Sequence, residues 1–251
     1  MSTDADLAWR VEEACLNAWP SPRQMLVDGY LLRAAGGRSK RQNSVNPMRG
    51  SGAPESVIPA ACAIYAALGQ RPIFRIPTIA PQMEPLLARA DYAVADATCT
   101  LYRALDDRPA EPDPAVTVAP APWADWLALR DTVNRADAAA ARVFRDTVAA
   151  LMLPRAFAAT SEAGGIGAIA FGVLDRALLV IEAVATPKPL RGRGHARRAV
   201  GALLRWSRAQ GAEAACLQVV AANTPARALY RGLGFERELY RYHYRVGPEP
   251  G

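Results

Sequence analysis

One stretch constrains the fold more than any other. Leu178 to Phe235 reads LLVIEAVATPKPLRGRGHARRAVGALLRWSRAQGAEAACLQVVAANTPARALYRGLGF. Leu178 to Val184 is an apolar, β-branched run long enough for one buried strand. A turn marked by Pro187 and Pro189 follows, then Arg191-Gly192-Arg193-Gly194-His195-Ala196. Ala196, Ala199, Val200, Leu203, Leu204 and Ser207 then recur at three- and four-residue spacing, which predicts a helix. Gly211 stops it, and Ala215 to Val220 reads as a second buried strand. Strand, Gly-rich turn, helix and strand make a βαβ unit.

The turn between strand and helix is where chemistry is expected. The first N–H groups of a helix have no partner within it, and the helix dipole favours negative charge there. Gly192 and Gly194 lack Cβ atoms, so a ligand can approach the backbone closely. Arg191 and Arg193 add forked donors suited to phosphate oxygens. The expected ligand end is a phosphate or pyrophosphate. A dinucleotide fingerprint fails, because the position for its third Gly is Arg197. A P-loop fails too, because no Gly-Lys-Ser/Thr occurs in the chain.

The pattern R-x-x-G-x-A at Arg191, Gly194 and Ala196 resembles the pyrophosphate motif of the GNAT superfamily of acyl-CoA N-acyltransferases. Asn223, Ala226, Leu229, Tyr230 and Leu233-Gly234-Phe235 resemble that superfamily's N-x-x-A-x-x-x-Y-x-x-x-GF segment, in the same order. The close likeness covers about 178–246, and a looser one reaches back to about 115. It implies an α/β (α+β) GNAT fold, a mixed central sheet with flanking helices, over 115–251.

Composition narrows the alternatives. Of 251 residues, 51% are hydrophobic and 22% charged, ordinary proportions for a globular protein. No apolar run reaches the roughly 18 residues of a membrane span. The start, MSTDADLAWRVEE, is acidic and has no apolar core of a signal peptide, so the expectation is cytoplasmic. Cys15, Cys62, Cys99 and Cys216 are scattered, and His195 and His243 are the two histidines, so neither a disulfide frame nor a metal site is expected. The net charge of +6 invites a nucleic-acid reading. However, the basic residues are nearly all Arg, spread along the chain without interleaved aromatics, and no specific nucleic-acid partner is expected.

The remaining elements read in order. Residues 5–19 form a helix, Asp28 to Ala35 a strand, Gly36-Gly37 a turn, and Lys40 to Val45 the return strand of a hairpin. Ser56 to Leu68 is a helix, Ile73 to Ile76 a strand, Gln82 to Ala90 a helix, and Tyr92 to Leu105 strand sequence. Asp106 to Pro122, DDRPAEPDPAVTVAPAP, is rich in Pro and acidic residues and reads as a linker, narrowed to 109–114. Val116 to Val118 begins the next domain, followed by helices over 123–133 and 136–152 and strands over 155–160 and 166–174. The element order of 1–108 echoes that of 115–251 but lacks R-x-x-G-x-A and an equivalent of Tyr230. It reads either as a degenerate GNAT-like half, giving two tandem halves, or as an unrelated α+β lid.

The resemblance further implies acetyl-CoA as co-substrate, with no metal. The backbone of Val184 and Ala185 would bind the pantetheine arm, and an N–H near Val184 would polarise the thioester carbonyl. Arg191, Gly192, Arg193, Gly194, His195 and Ala196 would hold the pyrophosphate, with Asn223 and Ala226 completing the cofactor side. In this turn the His195 backbone is expected to matter more than its ring. Tyr230 matches the general acid toward the departing thiolate. For the base, Glu182, His243 and a water chain stay open. Strand alternation also allows Glu182 to turn toward Arg205 or Arg208. Asn43 to Val45 and Asp28 to Tyr30 are expected to line an acceptor cleft. The implied acceptor is the primary amine of a small molecule or a protein amino group, and the other partner considered is a second copy of the chain in a homodimer. The alternative function is a non-catalytic acyl-CoA-binding regulatory module.

Overall fold

The computed structural model describes residues 3–106 and 111–249. Its first half runs α1 (Asp4–Ala18), β1 (Gln24–Val27), β2 (Tyr30–Arg33), β3 (Val45–Pro47), α2 (Pro54–Ala67), β4 (Ile73–Pro77), α3 (Glu84–Arg89) and β5 (Ala93–Ala104). The second runs β6 (Val116–Ala119), α4 (Ala124–Asn134), α5 (Ala138–Ala149), β7 (Arg155–Glu162), β8 (Gly165–Asp175), β9 (Leu178–Ala185), α6 (His195–Ala209), β10 (Ala214–Val220), α7 (Thr224–Arg231) and β11 (Arg237–Val246). Among the described residues no helix is long and apolar enough to cross a membrane.

All eleven strands join one mixed sheet in the order β1-β2-β3-β4-β11-β5-β10-β9-β8-β7-β6. Each half has the same plan. An antiparallel strand leads into a strand–helix–strand unit, β3-α2-β4 or β9-α6-β10, whose strands are parallel. A short helix and a long strand then follow. The long strands are exchanged. β5 lies antiparallel beside β10 of the second half, from Ala104↔Ala214 to Thr98↔Val220. β11 lies between β4 and β5, with Tyr242↔Pro77 and Val246↔Ile73 in register on one side. Each half therefore closes its sheet with the other's last strand.

Apolar residues on the two sheet faces build separate cores. Leu178 and Val180 face α1, α4 and α5 with Trp126, Phe144, Phe157 and Phe171. Leu179 and Ile181 face the opposite way, with Ala199, Val200 and Leu203 of α6 and with Tyr230. A third cluster, around Tyr30, Tyr65 and Phe74, packs α2 and α3 on the first half.

Two elements differ from the sequence reading. β2 pairs with β1, which carries no alternating signal because Gln24, Met25 and Leu26 are exposed. Their hairpin turns at Asp28 and Gly29, both at positive φ (47° and 79°), as a two-residue turn matching strand twist requires. Lys40 to Val45 is not a return strand. Lys40–Gln42 is a single 3₁₀ turn, and only Val45 enters β3. Asn43 explains this: its side chain accepts from Gly36 N–H (2.8 Å) and donates to the carbonyls of Gly36 (2.9 Å) and Ser39 (2.8 Å), closing the loop locally. The interdomain boundary read near residue 108 lies outside the described residues, as does part of the 109–114 linker. The rest is tied down, since Arg205 Nη1 donates to Glu111 O (3.1 Å) and Arg198 grips Asp113 (2.6 and 3.0 Å).

Candidate active site

The parallel pairing of β9 with β10 runs from Leu178↔Ala214 to Ile181↔Leu217 and stops there. β10 continues to Val220 against β5, while Glu182 to Ala185 of β9 continue against β8 only. A bulge drives the separation. Ile169 opposes Ala185 and Phe171 opposes Glu182, so two residues of β9, Ala183 and Val184, face one of β8. Ala183 takes φ 48°, an uncommon conformation for a residue with a Cβ. The edge of Glu182–Ala185 facing β10 is thereby left without a strand partner, with Gln218 in register across the gap. Val184 and Ala185 lie in this gap.

The gap leads into the Gly-rich turn. Arg191, Gly192, Arg193 and Gly194 are all exposed. Gly192 and Gly194 have φ of 78° and 83°, and a Cβ on either would meet no protein atom within 4 Å. Gly194 caps α6 without a side-chain acceptor, so the N–H groups that open the helix, at His195 and Ala196, are uncapped. Two arginines beside uncapped helix N–H groups suit a pyrophosphate.

His195 contributes to this turn from below. Its ring is buried, with Nε2 2.8 Å from Glu162 Oε2 and Nδ1 3.3 Å from Thr160 Oγ1. A Cβ on Gly167 would come within 2.4 Å of Nδ1, so only glycine leaves room for the ring. Imidazole, Glu162 and Thr160 anchor the start of α6 to β7, while the His195 backbone faces the turn.

Tyr230 lies on the α6 face, buried, edge-on to Phe235 at 6.2 Å. Its hydroxyl has no hydrogen bond among the described residues. Burial, and secondarily the charge of Glu182, pushes the phenol well above its ordinary value, so it stays protonated. Asn223 caps α7, its Oδ1 accepting from Ala226 N–H at 3.2 Å, and so sets the helix that carries Tyr230.

Glu182 points to the opposite face from α6. It does not approach Arg205 or Arg208, since its carboxylate is taken by Arg41 of the first half, Nη1 to Oε2 and Nη2 to Oε1, both at 2.8 Å. His243 is elsewhere: it stands on β11, 2.9 Å from Glu84 Oε2. β11 is three strand spacings from β9, roughly 14 Å. Asp28 to Tyr30 sit near the far edge of the sheet, and the Asn43 side chain is spent on its own loop. Asp28 to Tyr30 therefore do not line the gap.

The equivalent turn of the first half, Met48 to Ala53 before α2, is closed by protein. Gly52 N–H donates to Asp28 O (2.9 Å), and Asp28 Oδ2 accepts from Ser56 Oγ (3.1 Å) in the first turn of α2. Asp28 thus ties this turn and the first turn of α2 to the β1–β2 hairpin.

Arg41, Glu162, Thr160 and Gly167 are the site residues that the sequence did not reveal. Arg41 and Glu182 are 141 positions apart, and no local pattern connects them. The His195 contacts leave only a faint trace, a polar Thr160 and Glu162 within strand sequence.

A family model described as "Probable histone acetyltransferase Rv0428c C-terminal" matches residues 8–245. Among solved structures, the chain is similar to a GCN5-related N-acetyltransferase from Kribbella flavida, with 15% identity and a TM-score of 0.65 over 99% of this chain and 96% of that one. It is also similar to a tandem GNAT protein from the clavulanic acid biosynthesis pathway, with 14% identity and a TM-score of 0.52 over 96% and 88% of the two chains. These identities speak to fold alone. No curated protein matches the sequence.

Proposed function

We propose that this chain, which belongs to the family of the probable histone acetyltransferase Rv0428c C-terminal region and has the GNAT fold, is an acetyl-CoA-dependent N-acetyltransferase acting on a primary amine. The observation that carries the proposal is the β9–β10 gap running directly into the uncapped start of α6. The turn from Arg191 to Ala196 would hold the pyrophosphate. The free edge at Val184 and Ala185 would hold the pantetheine arm and polarise the thioester carbonyl. A neutral amine then attacks the carbonyl carbon: the C–N bond forms, the C–S bond breaks, and the thiolate takes a proton from Tyr230. The amine's surplus proton leaves through Glu182, directly or through water. Placing two reactants side by side supplies much of the rate. The family description names a protein, histone, acceptor, which favours lysine-bearing peptides beside small amines in any acceptor panel.

One observation favours a second reading. Both Glu182 oxygens are already engaged by Arg41, as in a structural ion pair, which fits a module that binds acyl-CoA without turnover. Calorimetry with CoA and thiol release from acetyl-CoA over amines and lysine peptides separate the readings. The enzyme binds one CoA per chain and releases thiol with at least one acceptor. Binding without release supports the module, and no binding at all overturns both.

A further inference from the structure

Glu182 is the first residue of β9 past its last pairing with β10, beside the Ala183 bulge and opposite Gln218. Only 7% of it is exposed. A carboxylate so placed is costly unless paired and hydrogen-bonded, and nothing in the second half pairs with it among the described residues. The partner comes from the half whose own phosphate turn is closed.

Arg41 is held for this task by contacts that all precede the second half's catalytic unit in the chain. Its 3₁₀ turn is fixed by the Asn43 loop closure and by Gln42, which donates through Nε2 to Pro20 O (3.0 Å) and Thr147 Oγ1 (2.5 Å). Arg41 Nη2 also donates to Cys15 O at 3.2 Å, at the C-terminal end of α1. Its guanidinium lies 5.2 Å from the Trp19 ring centre. Trp19 in turn stacks at 5.8 Å on Phe171, the residue in register with Glu182 on β8. Guanidinium, carboxylate, strand pair and indole thus form a closed circuit that leaves the carboxylate one orientation.

The fork uses one acceptor position on each oxygen. An ionised carboxylate offers about four in all, so each oxygen keeps one free. The pair is therefore compatible with accepting a proton from an amine or from an intervening water.

We infer that Arg41 is a positioning residue for acetyl transfer: the first half, though without a working cofactor turn, supplies the guanidinium fork that holds the Glu182 carboxyl in one orientation beside the β9–β10 gap. This inference rests on the proposed transferase reading.

The test uses the full chain with an acceptor found by thiol release. Arg41→Met should lower kcat by about 10²-fold, the scale of a misplaced reacting group, with acetyl-CoA affinity by calorimetry within about twofold. Arg41→Lys, a point charge without the fork, should restore part of the loss. In a Glu182→Gln background Arg41→Met should change kcat little further, because both act on one group; a merely structural role would give independent, multiplying losses. An active parent whose Arg41→Met variant keeps kcat within twofold overturns the positioning role and leaves the transferase reading intact. So do multiplying losses in the double variant. A parent that binds CoA but turns over no acceptor overturns the transferase reading itself, and the positioning role with it.

Discussion

Tyr240 on the last strand donates a 2.5 Å hydrogen bond to Glu12 on the first helix, joining residues 228 positions apart. Glu12 is 1% exposed, and it also meets the guanidinium of Arg75 on β4. This buried contact lies where the halves exchange strands, since β11 stands between β4 and β5. Neither half has a complete sheet without the other. The chain should therefore unfold in one cooperative transition. Calorimetry should show a single peak whose calorimetric and van't Hoff enthalpies agree; two resolved peaks would contradict the interlocked sheet.

Removing only the Tyr240 hydroxyl isolates the contact. Tyr240→Phe keeps the ring but leaves a buried carboxylate oxygen short of a donor, at a cost of about 2 kcal/mol for a bond to a charged group. For a chain of this size that lowers the melting temperature by roughly 4–8 °C. A shift under about 1 °C, far below that range, would mean that Arg75 alone satisfies Glu12.

Gly194→Asp tests the phosphate site with little damage to the fold. The φ of 83° costs a residue with a Cβ about 1 kcal/mol, but the Cβ itself meets no protein neighbour within 4 Å. The new carboxylate puts a negative charge at the uncapped start of α6, where the pyrophosphate would bind. CoA affinity should fall below detection by calorimetry, with the melting temperature lowered by only roughly 2–4 °C. Unchanged affinity would place the pyrophosphate elsewhere.

The difference between these two tests mirrors what was legible in the sequence. The Gly194 turn is local: strand, Gly-Arg repeat and helix are contiguous, and the reading of Leu178–Val184 and Ala215–Val220 as flanking strands agrees with β9 and β10 within one residue. The strand exchange is not local. Nothing in Ala93–Ala104 says whether β10 or β4 will be its neighbour, because both edges offer the same backbone groups. β1 escaped because its side chains are exposed and carry no alternation. The Arg41–Glu182 pair escaped because a lone charge inside an apolar strand says that a partner exists, not which residue it is.

Arg198 on α6 ties the segment before β6 to the catalytic unit. Its hydrogen bonds, then the one from Ala115 N–H, hold the Asp113 carboxyl down at about 2. A folded-state value below the ordinary value of about 4 contributes stability that is present above pH 4 and lost as pH falls toward 2. Asp113→Asn should therefore flatten the fall in melting temperature over that window and leave the curve above pH 5 parallel to the parent's. Asp113 is only half-buried, so the effect should also shrink in high salt. A parent and variant with parallel curves from pH 5 to pH 2 would show that the pair does not hold in solution.

Tyr230→Phe bears most directly on the chemistry. The variant keeps the ring's edge-on contact with Phe235 and removes only a hydroxyl that makes no hydrogen bond among the described residues. The cost in stability should accordingly be small. Burial and the Glu182 charge raise the phenol, so it holds its proton across the neutral and mildly alkaline range. The same burial also raises the basicity of a thiolate expelled beside it, which narrows the mismatch and lets the phenol donate its proton as the C–S bond breaks. Thiolates are also tolerable leaving groups, with a thiol pKa of about 8.5 in water, so activity should fall without vanishing. General acids contribute about 10²–10⁴-fold, and the loss should appear in kcat with acetyl-CoA affinity nearly unchanged, because the interaction removed exists only in the transition state. A kcat within about twofold of the parent, well short of that range, would make Tyr230 a packing residue and send the search for the proton to water in the gap.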